Sequence, residues 1–183
     1  MIYELRCADL NSFAPLVPSP GQNLLNVKLF FDGKPLQWPI LPKVQKYYDK
    51  KRKIQKDRAD IGIFIPGSIT LTNKAYIALS DFLKQFGELV QLECENGEAW
   101  LYNVTNLIAC VDFEKSEKSG NIIRIENFYE DNIPNTPAIF KDVHTVRTRI
   151  YLNVEAKMIL EKLQMEHSLT GLDIRQAGIS EFY

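Results

Sequence analysis

From Asp60 onward, apolar and polar positions recur with periods that assign elements. IGIFI at 61–65 is a short apolar strand, ended by Pro66-Gly67. Ala75, Leu79, Phe82 and Phe86 then recur at steps of four, three and four, which predicts an amphipathic helix. Thr72 or Asn73 is placed to cap its start, and Gly87 to stop it. Val90, Leu92 and Cys94 alternate with polar neighbours, Asn96-Gly97 matches a two-residue hairpin turn, and AWLYNV returns as the partner strand. The run Leu107-Ile108-Ala109-Cys110-Val111 is apolar at every position, the pattern of a central strand covered on both faces. NIIRIENF (121–128), AIF (138–140) and RTRIYLN (147–153) predict further strands, the last with Arg147, Arg149 and Tyr151 on one face. Asn153 is placed to cap a second helix with the buried stripe Ala156, Ile159, Leu160 and Leu163, and Gly171 precedes a closing strand.

The first forty residues are broken by Pro15, Pro18, Pro20-Gly21, Pro35 and Pro39, leaving room for short strands only. NLLNVKLFFDG (23–33) is the best of these, with Asp32-Gly33 as the turn after it. The stretch 43–60 follows, with eight basic residues and only Val44, Tyr47, Tyr48 and Ile54 as sizeable apolar side chains, so a solvated helix or a loop is expected there. The division is a Pro-punctuated unit over residues 1–58 and an α+β domain over 59–183. Strands outnumber the two principal helices and a hairpin is evident, so the fold class is α+β with a largely antiparallel sheet.

Composition narrows the function more than the fold. An apolar fraction of 45% and a charged fraction of 25% are ordinary for a globular domain. No apolar run exceeds five residues, far short of the roughly 20 that span a bilayer, so no membrane partner is expected. The start of the chain lacks both the basic residues and the apolar core of a secretion signal, which makes the cytoplasm the expected location. Charge is unevenly placed. Residues 1–60 carry 11 basic against 6 acidic side chains, net +5, and residues 61–183 carry 11 against 17, net −6. Each half therefore suits a different partner.

Catalytic and cofactor motifs are missing: GxxxxGK[ST], GxGxxG, HExxH and GxSxG do not occur, and PGSIT around Ser68 lacks the glycine spacing of a nucleophile elbow. Cys7, Cys94, Cys110, His144 and His167 offer no zinc spacing, so no metal is expected, and Cys94 and Cys110 read as small apolar residues in strands. His144 with Arg147 and Arg149 could touch phosphate, but alternating charge on an exposed strand edge explains them as well. Asp112, which ends the run 107–111, is read as a turn residue. Its carboxylate can accept backbone N–H groups two or three residues ahead and close the turn through Ser116.

GELVQLECENGEAWLYNVTNLIACVDFEKSE (87–117) resembles the central motif of a bacterial family first catalogued as domain of unknown function 1629, later proposed to be immunity protein 11 of polymorphic toxin systems. The family's hairpin, its Leu-Leu-Asn-Val strand and its Val-Asp-Cys-Leu-Asp…Glu-Lys-Ser segment correspond to Leu101-Tyr102-Asn103-Val104 and Cys110-Val111-Asp112…Glu114-Lys115-Ser116. Residues 69–87 resemble its helix start, and residues 150–174 its closing helix, Thr-Gly-Leu and strand. The resemblance covers roughly residues 59–178. Ala109 departs from it, standing where many members have the first of two aspartates. What the resemblance implies is a small cytoplasmic protein that binds and neutralises a cognate toxin, with no catalytic residue and no cofactor.

Two candidate contact patches follow. The acidic one is Glu93, Glu95 and Glu98 on the hairpin, near Glu88, with Glu93 and Glu95 on the face opposite Leu92 and Cys94. The other is basic and aromatic, Tyr47, Tyr48, Lys51 and Arg52, with Trp38 as a possible anchor. The alternative function is a nucleic-acid-binding module using 43–60, where Lys50 to Lys53 beside the tyrosines pair charge with stacking surface. Asp49, Asp57 and Asp60 interrupt that run, and the chain as a whole is mildly acidic.

Overall fold

A computed structural model describes residues 1–7, 12–21, 31–36, 43–48, 56–95 and 97–179. Twelve strands and two helices follow in the order β1 (Ile2–Cys7), β2 (Leu16–Pro18), β3 (Lys43–Lys46), β4 (Ile61–Ile63), β5 (Ile69–Leu71), α1 (Asn73–Leu83), β6 (Gly87–Cys94), β7 (Ala99–Val104), β8 (Glu117–Ser119), β9 (Ile122–Ile125), β10 (Ile139–Phe140), β11 (Tyr151–Asn153), α2 (Val154–Glu166) and β12 (Leu172–Gln176). They form a four-stranded sheet, β10-β11-β1-β12, a six-stranded sheet, β2-β3-β6-β7-β5-β4, and a β8-β9 ribbon. Every pairing between these strands is antiparallel except β3 with β6. The fold is α+β, largely antiparallel, with two principal helices.

The helix signals work through named bonds. The Thr72 hydroxyl accepts the Ala75 amide at 3.3 Å and donates to Asp60 at 2.9 Å, so the cap is itself held in place. Helix α1 ends at Leu83, and Gly87 opens β6 instead of stopping the helix. The reason is close approach: a Cβ at Gly87 would collide with the Asn103 carbonyl across the β6–β7 ladder. Asn153 caps α2 with the same side chain that ties a neighbouring loop. Its Oδ1 accepts the amides of Ala156 (3.1 Å) and Ala138 (3.0 Å), and its Nδ2 donates to the carbonyls of Pro134 (2.9 Å) and Thr136 (2.7 Å).

Three clusters of buried apolar side chains follow from the alternation. The largest packs Leu79 and Leu83 of α1 and Ala156 and Leu160 of α2 against Leu5, Leu152, Leu71 and Tyr102, so both sheets share the helices. A second covers the far side of the six-stranded sheet with Leu16, Phe31, Val44 and Phe64 over Leu92 and Leu101. The third covers the far side of the four-stranded sheet, where Cys110, Val111 and Ile123 meet Ile2, Phe140 and Tyr151.

Three expectations need correction. Residues 107–111 are not a central strand. Leu107 and Val111 each make one isolated bridge, Leu107 with Lys141 and Val111 with Phe128, while Leu107 is 42% exposed. The amides of Cys110 and Val111 go to a carboxylate oxygen of Asp142, at 2.8 and 2.9 Å, and so are not available to a ladder. Cys110 is accordingly buried in an irregular segment; Cys94 sits half-buried in β6. The basic stretch is neither helix nor loop at its start, because Lys43–Lys46 is a strand between β2 and β6 whose Val44 is wholly buried. The strand expected over 147–153 begins only at Tyr151. Thr145 to Thr148 turn instead, with the Thr148 and Arg149 amides both donating to the Thr145 carbonyl, which leaves Arg147 exposed off the sheet. Most of the strand expected over 23–33 lies outside the described residues. No helix among the described residues is long and apolar enough to cross a membrane.

Asn153 carries a direct test. Asn153→Ala removes a helix cap and strands a buried amide and two carbonyls, so chemical denaturation should show a loss of about 3 kcal/mol. A loss under about 1 kcal/mol would mean that these bonds are replaced by water.

Candidate functional site

The parallel pairing of β3 with β6 decides where the two candidate patches lie. Lys43 stands opposite Glu93 and Val44 opposite Cys94, and the Glu95 amide donates to the Val44 carbonyl at 3.2 Å. Strands in a parallel pair end on the same side. Tyr47 and Tyr48, which follow β3, therefore emerge at the same end of the sheet as Glu95, Gly97 and Glu98 of the hairpin. The Tyr47 amide is fixed to the Pro15 carbonyl at 2.9 Å, while the two rings stay 48% and 43% exposed. The acidic hairpin and the two tyrosines of the other candidate patch therefore lie at one end of the same sheet.

Glu93 and Glu95 are exposed on either side of half-buried Cys94, with Leu92 buried. Neither acid stands alone. Glu93 pairs with Lys43 at 2.7 Å, which raises the lysine pKa through that hydrogen bond, and Glu95 accepts the Ser19 hydroxyl at 3.2 Å. A pair this exposed adds little stability and leaves its charges accessible. Arg58 braces the hairpin base, donating to the carbonyls of Glu98 (3.1 Å) and Leu71 (2.6 Å). Glu88 leaves the patch: its carboxylate turns inward, accepting the Asn103 amide at 2.9 Å and the Leu36 backbone N–H. Lys51, Arg52 and Trp38 lie outside the described residues.

Asp112 and Ser116 fasten the turn that follows residues 107–111. Asp112 Oδ1 accepts the Lys115 amide at 3.2 Å, and its backbone carbonyl accepts both the Ser116 amide (3.0 Å) and hydroxyl (2.6 Å). The Ser116 hydroxyl in turn accepts the Asn127 amide at 3.0 Å, which ties the turn to the chain after β9. Desolvation pushes the Asp112 pKa upward, but the amide and ammonium of Lys115 and the Tyr129 hydroxyl outweigh it and hold the carboxyl below its ordinary value. His144 stacks on Phe113 at 5.0 Å, and Arg149 bonds the buried Glu126, so neither serves an exposed strand edge.

Two buried acids had escaped notice. Asp142 accepts the Cys110, Val111 and His144 amides at 2.8 to 2.9 Å, and only the last is local enough to read as a turn signal in the sequence. Glu126 accepts Arg149 and the Tyr151 hydroxyl (2.8 Å), and nothing in the sequence spacing marks it. These acids leave no activated nucleophile beside them. Burial, followed by the Asp142 charge, pushes the Cys110 thiol up to about 12, and burial pushes Cys7 to about 12, so both stay protonated at neutral pH. Tyr151 is driven upward by burial and by Glu126. Among the described residues no three His, Cys, Asp or Glu side chains converge on a point that could hold a metal ion.

No family model matches the chain, and no curated protein matches it either.

Lys141 supplies the testable electrostatics. It is wholly buried, its Nζ lies 3.5 Å from the Phe31 carbonyl oxygen, and burial lowers its pKa from 10.5 to about 8, with Asp32 opposing. Below pH 8 the amine is charged in both folded and unfolded chains and its burial cost is fully present. Between 8 and 10.5 the unfolded chain binds the extra proton, so stability rises with pH by up to roughly 3 kcal/mol. Lys141→Met should abolish that rise and stabilise the protein at pH 7 by about 1–3 kcal/mol in urea titrations. Equal pH profiles for the two proteins would contradict the assignment.

Proposed function

We propose that the protein works by binding, as a non-catalytic inhibitor of a protein partner, and that its contact face is the edge where Tyr47 and Tyr48 stand beside Glu93, Glu95 and Glu98. The observation that carries this reading is the joining of those two groups by the β3–β6 pairing. Exposed tyrosines with an acidic rim at the end of paired strands have the composition of an interface anchor, and tyrosine supplies contact area at low entropic cost. Acidic side chains around such an anchor would steer a basic partner.

The nature of the partner comes from the resemblance. Three blocks in family order support an immunity protein acting on a cognate toxin in the cytoplasm. Since no family model matches, the contact surface carries the greater weight. The nucleic-acid alternative is disfavoured at the start of its own segment, where Lys43 is spent on Glu93 and β3 runs along an acidic strand.

The test is recovery of the partner on immobilised protein from the organism that encodes it, at moderate salt with nuclease added. One large toxin-like protein in stoichiometric amount is expected, and co-expression should relieve its toxicity. Tyr47→Ala with Tyr48→Ala, or charge reversal at Glu93 and Glu95, should lower recovery at least about tenfold while leaving the fold intact. Recovery of only nucleic-acid-associated proteins, lost on nuclease treatment, would overturn the reading in favour of the basic segment.

A further inference from the structure

The helix layer carries a second surface, separate from the Tyr47 edge. The two most exposed large apolar side chains among the described residues, Met165 (80%) and Ile77 (72%), lie on it, with Met158 at 64%. Met158 and Met165 are seven residues, two turns, apart on α2 and so share one stripe, which exposed Glu155 and Lys162 complete. Ala156 and Leu160 occupy the buried side of the same helix. Lys74 of α1 donates to the Ser168 carbonyl just past α2 at 2.7 Å, and Ile77 stands one turn along α1 from Lys74. Single exposed apolar residues are ordinary, but two in one stripe with a third alongside make a patch.

The charges around that stripe suit a second copy of the chain. Consider a two-fold axis that crosses α2 between Glu161 and Lys162. It lays α2 antiparallel on the α2 of the second copy, with Met158 against Met165. The same register sets Lys162 against Glu161 and Lys157 against Glu166, and each contact occurs twice because the arrangement is isologous. A shift of three residues either way opposes Met158 to Lys162 or Met165 to Glu161. One register therefore satisfies the apolar and the charged positions together.

Pairing within the helix does not use up these groups. Lys157 bonds Glu161 at 2.7 Å and Lys162 lies 3.7 Å from Glu166, both as i,i+4 surface pairs. The side chains of Lys162 and Glu161 remain 73% and 43% exposed. An ammonium has three donors and a carboxylate accepts at both oxygens, so each can take a further partner.

We propose that this face is where two copies of the chain meet, through α2 packed antiparallel on α2. Methionine suits such a contact, because its unbranched thioether adapts to the opposing side chain. A helix of 13 residues is about 20 Å long, so the contact buries less than the roughly 1,600 Å² of a standard interface. The dimer is accordingly weak and forms only as concentration rises.

Sedimentation equilibrium of the full chain, from about 10 μM to about 1 mM, tests this. The unaltered chain should pass from monomer to dimer across that range. Met165→Glu and Lys162→Glu should each weaken dimerisation at least about tenfold, the second by setting two acids face to face. Both positions are exposed, so far-UV circular dichroism should show the fold unchanged. Adding Glu161→Lys to Lys162→Glu restores opposed charges in the same register and should return most of the lost affinity. Tyr47→Ala with Tyr48→Ala should leave the dimer as it is. A chain that stays monomeric at the highest concentration would overturn the proposal. So would a dimer indifferent to Met165→Glu or Lys162→Glu, which would place the contact elsewhere, or a double variant no tighter than Lys162→Glu alone.

Discussion

One buried carboxylate fixes the course of the chain where its regular structure fails. Asp142 is fully buried and accepts the amides of Cys110, Val111 and His144. A buried charge is costly unless it is hydrogen-bonded, and three amide donors to one carboxylate are the kind of arrangement that offsets the cost. The result is a clamp between residues 108–112 and the turn after β10, two segments about thirty positions apart. With the clamp in place, Cys110 and Val111 are pressed onto Phe140 and Tyr151, and the third core cluster closes over the four-stranded sheet. Asp112, next along the chain, then fastens the turn that leads into the β8–β9 ribbon.

How legible this was depends on the range of each interaction. The caps at Thr72 and Asn153 could be read because their bonds span three residues, and the β6–β7 hairpin because its innermost pair, Leu92 and Ala99, is only seven positions apart, although Asn96 of the expected turn lies outside the described residues. The run 107–111 could not, because five apolar residues look alike whether their amides meet a neighbouring strand or a distant aspartate. Strand β3 was hidden for a different reason. Its only sizeable apolar side chain is Val44, and what makes it a strand is pairing with β2 on one side and β6 on the other, both far away in sequence. Sequence alternation placed Glu93 and Glu95 on one face, but their nearness to Tyr47 and Tyr48 depends on that same non-local pairing.

The Tyr47 edge is open, aromatic and rimmed by acids whose bonds are mostly exposed, which suits a large partner and a salt-sensitive encounter. Glu93 is held within a paired strand, while Tyr47, Tyr48, Glu95 and Glu98 lie just beyond the strand ends that position them.

Amide hydrogen exchange at Cys110 and Val111 tests the central claim about the clamp most directly. If Asp142 holds both amides in the buried cluster, they should exchange as slowly as Leu101 and Tyr102 in the middle of β7, opening only with global unfolding. Exchange at the rate of an exposed turn such as Gly120 would contradict the clamp and the account of the third core built on it.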